Sequence, residues 1–212
     1  MVISIDGPAG AGKSTVARAV AERLGFTYLD SGAMYRCVAL AAIERGVDPD
    51  DPVATGELAG SLRIEVGHGR VHLDGDDVSL AIREPRITEA SSRVSVHPSV
   101  REAMVARQRE LIDAADYVAE GRDIGTVVSP DAPLKVFLTA TEEERARRRA
   151  EDTGENPSDV LVAQRERDAR DRSRQHSALA PAADAVEIDT TELAFDEVVD
   201  RVVELAAGRG LT

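Results

Sequence analysis

An α/β fold built on a parallel sheet is what this chain of 212 residues predicts, and three observations carry the prediction. An apolar, β-branched run at residues 2–5 leads into a glycine-rich loop and then a helical pattern. Strand and helix patterns go on alternating after it, the signature of right-handed crossovers between parallel strands. Two later apolar runs, at residues 117–119 and 134–138, read as core strands.

The first loop is the most informative stretch. Gly7, four residues, Gly12, Lys13 and Ser14 stand at the spacing of a phosphate-binding loop, with the required strand before it and helix after it. Gly7, Pro8, Ala9, Gly10, Ala11, Gly12, Lys13, Ser14 and Thr15 are therefore the expected ATP-binding residues. Gly7, Gly10 and Gly12 can take backbone angles closed to other residues, so successive N–H groups of the loop would point at phosphate oxygens, backed by the positive end of the helix. Lys13 would reach the β- and γ-phosphates, and the Ser14 hydroxyl would ligate Mg²⁺.

Each following element has its own local signal. Val16, Ala17, Val20, Ala21 and Leu24 recur at helical spacing up to Gly25, and residues 26–29 read as a short strand. Ser31 is the expected N-cap of a helix through Tyr35, Val38, Leu40 and Ile43 that stops at Gly46. Pro52 opens a short helix toward Leu62. Period-two alternation over residues 62–73, broken by Gly67-His68-Gly69, predicts an antiparallel hairpin, and residues 60–84 read as a small β insert beside the cleft. Residues 83–95 and 99–112 are expected helices separated by His97-Pro98.

Beyond residues 117–119, Glu120, Arg122 and Asp123 fall at a strand's carboxyl end, where ligands gather in open α/β sheets. Thr141 begins a helix with Glu142 to Glu144 in its first turn. Asp152-Thr153-Gly154-Glu155-Asn156 interrupts it, and Pro157 opens another. These arginine-bearing helices, within residues 145–174, are expected to form a mobile flap. A strand at 185–188 and a helix at 195–207 close what is expected to be one domain over 1–212.

The net charge of −13 argues against a nucleic-acid surface, and no apolar run is long enough to span a bilayer. The chain carries no pattern of a cleaved leader, so a cytoplasmic protein is expected. Cys37 reads as a small buried hydrophobe, and His68, His72, His97 and His176 show no metal-ligand spacing. Only Lys13 and Lys135 are lysines; the other cations are arginines, many of them between residues 145 and 174. Arg36, Arg101, Arg122, Arg167 and Arg174 stand where a second anion could be gripped in two-pronged fashion. A triphosphate site plus a second anion site suggests a small-molecule kinase, with an ATP-driven switch as the rival from another class.

Several blocks together are more specific. Leu29-Asp30-Ser31-Gly32-Ala33-Met34-Tyr35-Arg36, Ala90-Ser91-Ser92-Arg93-Val94, Val100-Arg101-Glu102-Ala103, Gly121-Arg122-Asp123-Ile124-Gly125-Thr126-Val127-Val128, Pro130-Asp131-Ala132-Pro133 and Pro181-Ala182-Ala183-Asp184-Ala185 join the phosphate loop. With them the chain closely resembles bacterial cytidylate kinases from residue 3 to about residue 207. The resemblance implies a P-loop fold like that of nucleoside monophosphate kinases, with a five-stranded parallel sheet, a β-rich acceptor insert and a helical lid.

The activity it implies is transfer of the ATP γ-phosphate to CMP, and to dCMP, with Mg²⁺ as cofactor; a flap closing on a small core is compatible with a monomer. Carried over by position, Ser31, Ser92, Arg101 and Asp123 would read the cytosine, with Arg174 near it. Arg167 and Asp171 would contact the ribose, and Arg36 and Arg122 would hold the acceptor phosphate. Lys13, Arg36, Arg122 and Arg167 would form the catalytic cation set. A short lid turn at 152–158, and the lack of a proline-leucine pair in Ser177-Ala178-Leu179-Ala180, leave open which of Arg145, Arg148 and Arg149 touches the moving phosphate. Another small acceptor is the alternative within kinases.

Overall fold

The structure, a computed structural model, describes residues 1–67, 69–173 and 179–212. The expectations placed on His68, Arg174, His176, Ser177 and Ala178 lie outside the described residues. In chain order the first half contains β1 (Val2–Asp6), α1 (Lys13–Leu24), β2 (Thr27–Asp30), α2 (Ser31–Glu44), α3 (Pro52–Ser61), β3 (Ile64–Gly67), β4 (Arg70–Leu73), β5 (Asp76–Asp77), α4 (Pro85–Val94) and α5 (Pro98–Asp113). The second contains β6 (Tyr117–Gly121), β7 (Leu134–Thr139), α6 (Glu142–Thr153), α7 (Pro157–Arg172), β8 (Val186–Asp189) and α8 (Phe195–Ala207).

Two compact units divide the chain, residues 1–28 with 115–212, and residues 29–114. The main sheet has the order β2-β6-β1-β7-β8. β1 runs parallel to both β6 and β7, and β7 parallel to β8, so the expected five-stranded parallel sheet is present. All five residues of β1 are buried, as a central strand covered by helices on both faces must be. Ile3, Ile5, Val118, Val136, Leu138 and Ile188 form the core of the first unit, with Val16 and Val20 of α1 and Val198 and Val202 of α8 packed into it.

β1 ends where it does because Gly7 has no side chain. Its φ is +148°, and a Cβ there would lie 2.0 Å from the Leu138 carbonyl oxygen on β7. Gly7→Ala must therefore prise β1 from β7 or strain the loop, and we expect a loss of roughly 3 kcal/mol or more. Urea unfolding checks this; an unchanged midpoint would refute it.

The second unit holds α2 to α5 and a small antiparallel sheet, β3-β4-β5. The expected hairpin is thus three-stranded, because Asp74-Gly75 turns the chain once more, with Asp74 at φ +53°, and lets Asp76 and Asp77 pair with β4. α2 begins at Ser31, but its cap is Asp30, whose carboxylate accepts from the Ala33 amide at 2.9 Å. Both residues are good caps, and Asp30 wins because it also pairs with Arg36 at 2.7 Å. The helix expected from residue 83 opens at Pro85, where a ring suits the first helical position, after a 3₁₀ turn at Ala81–Arg83. No helix among the described residues is long and apolar enough to cross a membrane.

Candidate active site

The phosphate loop joins β1 to α1 through Gly12, which caps the helix at φ 82° without a side chain. The first helical bond runs from the Val16 amide to the Gly12 carbonyl at 3.0 Å. The amides of Lys13, Ser14 and Thr15 therefore precede the helical ladder and stand at the positive end of α1, ready for an anion. Ser14 and Thr15 are exposed.

Lys13 is buried, 5% exposed, and donates to the Pro8 carbonyl at 2.7 Å, folding back over the loop. Burial holds its ammonium well below the ordinary lysine range, and the positive charges of Arg122 and Arg167 push the same way while Glu120 and Asp6 oppose them. A desolvated ammonium in this mixed surrounding is a group that phosphate oxygens would stabilise. Glu120, also buried, accepts from the Tyr28 hydroxyl at 2.8 Å.

Arg122 and Asp123 follow β6 directly. The Arg122 Nε donates to the Asp171 carboxylate of α7 at 3.0 Å, which brings together two residues expected at the acceptor. Asp123, 6% exposed, heads a single π-helical turn, Ile124–Val128, into which its carbonyl accepts from the Val127 amide at 2.9 Å. Such turns concentrate at functional sites, and nothing in the periodicity announces this one. Asp6, at the end of β1, accepts from the Ile124 and Gly125 amides and has its pKa pushed up to about 6, chiefly by burial.

Arg145, expected among the flap cations, is nearly fully buried. It pairs with Asp168 at 2.8 Å and donates to the Ala9 carbonyl of the phosphate loop at 2.8 Å and to the Ala140 carbonyl at 3.2 Å. Its bonds tie α6 to the phosphate loop. Arg148 is half-buried, bonded to Glu144 at 2.8 Å and to the Thr190 carbonyl at 2.7 Å. Beside these helices a cavity of about 990 Å³ opens against the phosphate loop, lined by Ala11, Gly12 and Thr15, by Arg147 and Arg148 of α6, and by Thr190 to Phe195 after β8. The sequence does not single out the residues after β8 that line this cavity; their position at a strand's carboxyl end was the available signal.

In the second unit, Ser31 on α2, Ser92 on α4 and Arg101 on α5 are all buried, and α2 packs against α4. The Arg101 guanidinium lies 5.4 Å from the Tyr35 ring centre and donates to the Ser95 carbonyl at 3.4 Å. The Ser92 hydroxyl has no hydrogen-bond partner among the described residues. Arg36 is held by Asp30, and Gly32 leaves room for that pair, since a Cβ there would lie 3.0 Å from the Arg36 Nη1. Cys37 is buried in α2 and its thiol is pushed up to about 12 by burial, which leaves it inert as a nucleophile.

The sequence matches the cytidylate kinase family over residues 3–208. A cytidylate kinase of Solibacter usitatus is 47% identical over 216 residues, covering 99% of this chain and 93% of that protein. One from Pseudomonas aeruginosa is 44% identical over 220 residues, covering 99% and 96%. The bifunctional pantoate ligase/cytidylate kinase of Synechococcus elongatus is 46% identical over 99% of this chain, which spans 42% of that longer protein. Among solved structures, a gluconokinase from Sinorhizobium meliloti aligns over 98% of this chain and 96% of its own at TM-score 0.52 and 17% identity, a likeness of fold.

Proposed function

The chain belongs to the cytidylate kinase family, and from that premise we propose that it transfers the γ-phosphoryl group of ATP to CMP, giving ADP and CDP. The observation that carries the reading is the buried Lys13 beside a phosphate loop whose first-turn amides lie outside the helical ladder, with Arg122 and Arg167 close enough to press on its charge. The ATP phosphates would take backbone N–H groups of residues 9–15, and the cavity beside Thr15 and Thr190 has the volume for a nucleoside.

The acceptor residues are assigned as follows. In the first unit, Arg122 holds the CMP phosphate, Asp123 reads the base, and Arg167 and Asp171 contact the ribose, with Arg174 near the base. In the second, Arg36 holds the phosphate, while Ser31, Ser92 and Arg101 read the cytosine. The attacking oxygen belongs to a phosphate already ionised at neutral pH, so no general base is needed. Positioning and charge neutralisation by Lys13, Arg36, Arg122 and Arg167 are what the protein supplies to an in-line transfer.

Ser14 is exposed in the first turn of α1, and its hydroxyl is a hard oxygen donor of the kind Mg²⁺ takes alongside waters and phosphates, so the residue fits the ion. When bound, Mg²⁺ draws charge from the β- and γ-phosphate oxygens. The reading extends to dCMP as a second acceptor and to a cytoplasmic monomer acting as one kinase domain, with residues 60–84 as acceptor insert and 145–174 as lid.

ADP release coupled to NADH oxidation, with ATP, Mg²⁺ and each of CMP, dCMP, UMP, AMP and GMP, tests the proposal. Turnover with CMP and dCMP far above the others is expected. Turnover with a different acceptor would discard the cytosine assignment, and none above a no-acceptor control would discard the kinase.

A further inference from the structure

Asp6 is the last residue of β1 and is 5% exposed, yet its carboxylate serves a turn 118 and 119 positions away. Oδ1 accepts from the Ile124 amide at 2.9 Å and Oδ2 from the Gly125 amide at 2.8 Å. With one amide on each oxygen, the carboxylate fixes the tilt of that turn as well as its distance from β1. Residues 122 and 123 immediately precede the two amides, and Asp123 heads the same π-helical turn.

The turn is also confined from its other side. A Cβ on Gly125 would lie 2.7 Å from the Ser4 hydroxyl and 3.2 Å from the Lys135 Cδ. The Lys135 stem is itself anchored, its ammonium 2.9 Å from both carboxylate oxygens of Asp184. Burying an acid at the end of a core strand is costly, and Ile3 and Ile5 show what β1 otherwise prefers. The two amide bonds offset only part of that cost, since burial still pushes the carboxyl up to about 6, and what they provide is a turn held in one orientation.

We propose that Asp6 is a positioning residue for phosphoryl transfer, chelating the Ile124 and Gly125 amides so that Arg122 and Asp123 are presented to the acceptor nucleotide. This rests on the assignment of Arg122 and Asp123 to CMP. It makes the strand that ends in the phosphate loop also the ruler for acceptor residues, one carboxylate setting the turn beside the donor's loop.

Asp6→Asn keeps the shape but sets an amide NH₂ against one of the two backbone N–H groups. It is expected to raise KM for CMP about tenfold to a hundredfold and to lower the preference for CMP over UMP by a similar factor. KM for ATP should rise by a much smaller factor, since Asp6 reaches the donor's site only through its charge on Lys13, whereas a general loosening of the loop would raise both alike. Gly125→Ala, which pushes the same turn from the Ser4 side, should give the same split and carries the test if Asp6→Asn does not fold. Equal rises in KM for ATP and CMP, or an unchanged KM for CMP, would overturn the role of Asp6. Asp123→Ala measured in parallel separates the two ideas: if it too keeps the CMP preference, the acceptor assignment is what fails.

Discussion

Lys13→Met is expected to lose at least about a thousandfold in kcat and yet to melt at a higher temperature than the parent protein. The lost rate follows from chemistry that leaves little to the protein beyond charge and position. The gain in stability follows from burial. An ammonium folded onto the Pro8 carbonyl, desolvated and pressed by Arg122 and Arg167, is a charge that the fold carries at a cost until a triphosphate arrives. Because Lys13 is held below its ordinary range, that cost is present at low pH and eases as pH rises and the ammonium gives up its proton.

Methionine fills the same stem volume without the charge and should stabilise by about 1 kcal/mol or more, a rise of about 2–4 °C in a chain of this size. MgATP should raise Tm strongly in the parent and far less in the variant. Calorimetry beside the coupled assay checks both halves. A variant that turns over normally removes Lys13 from the mechanism, and one that melts lower shows that its bond to Pro8 outweighs its desolvation.

How much of this was legible in the sequence depends on whether the signal is local. The phosphate loop was fully legible because strand, glycines and helix lie within consecutive residues, and α8 was read to its ends because its apolar stripe has one period. Boundaries slipped where neighbours compete for one task, as Asp30 and Ser31 do for the α2 cap. Pairings between distant residues were not legible at all. Arg145 reads as one more flap cation until Asp168, 23 positions on, is found 2.8 Å away in a buried pair. Asp6 reads as the edge of a motif until the turn at Ile124 is seen above it. Periodicity encodes which face of an element is buried, whereas these contacts depend on which strands end side by side.

The specificity of the base site is the sharpest consequence of that geometry. Asp123 is buried at the head of a turn that Asp6 holds through two amides, and on the proposed assignment its carboxylate would meet the acceptor base in one orientation. Cytosine presents an exocyclic amine that donates to a carboxylate, whereas uracil presents a carbonyl oxygen that the same carboxylate repels. A site built to hydrogen-bond one of two near-isosteres can reject the other by about 10⁴. Asp123→Ala should therefore cut kcat/KM for CMP by about 10² or more and bring the CMP-to-UMP ratio close to one. Asp123→Asn goes further, since its amide can donate to the uracil oxygen, and should favour UMP over CMP. Steady-state kinetics with both acceptors on the three proteins decides the matter. A ratio unmoved by either substitution assigns the reading of the base elsewhere, first to the buried Ser92 hydroxyl, while a ratio lost in alanine and inverted in asparagine ties it to the charge of Asp123.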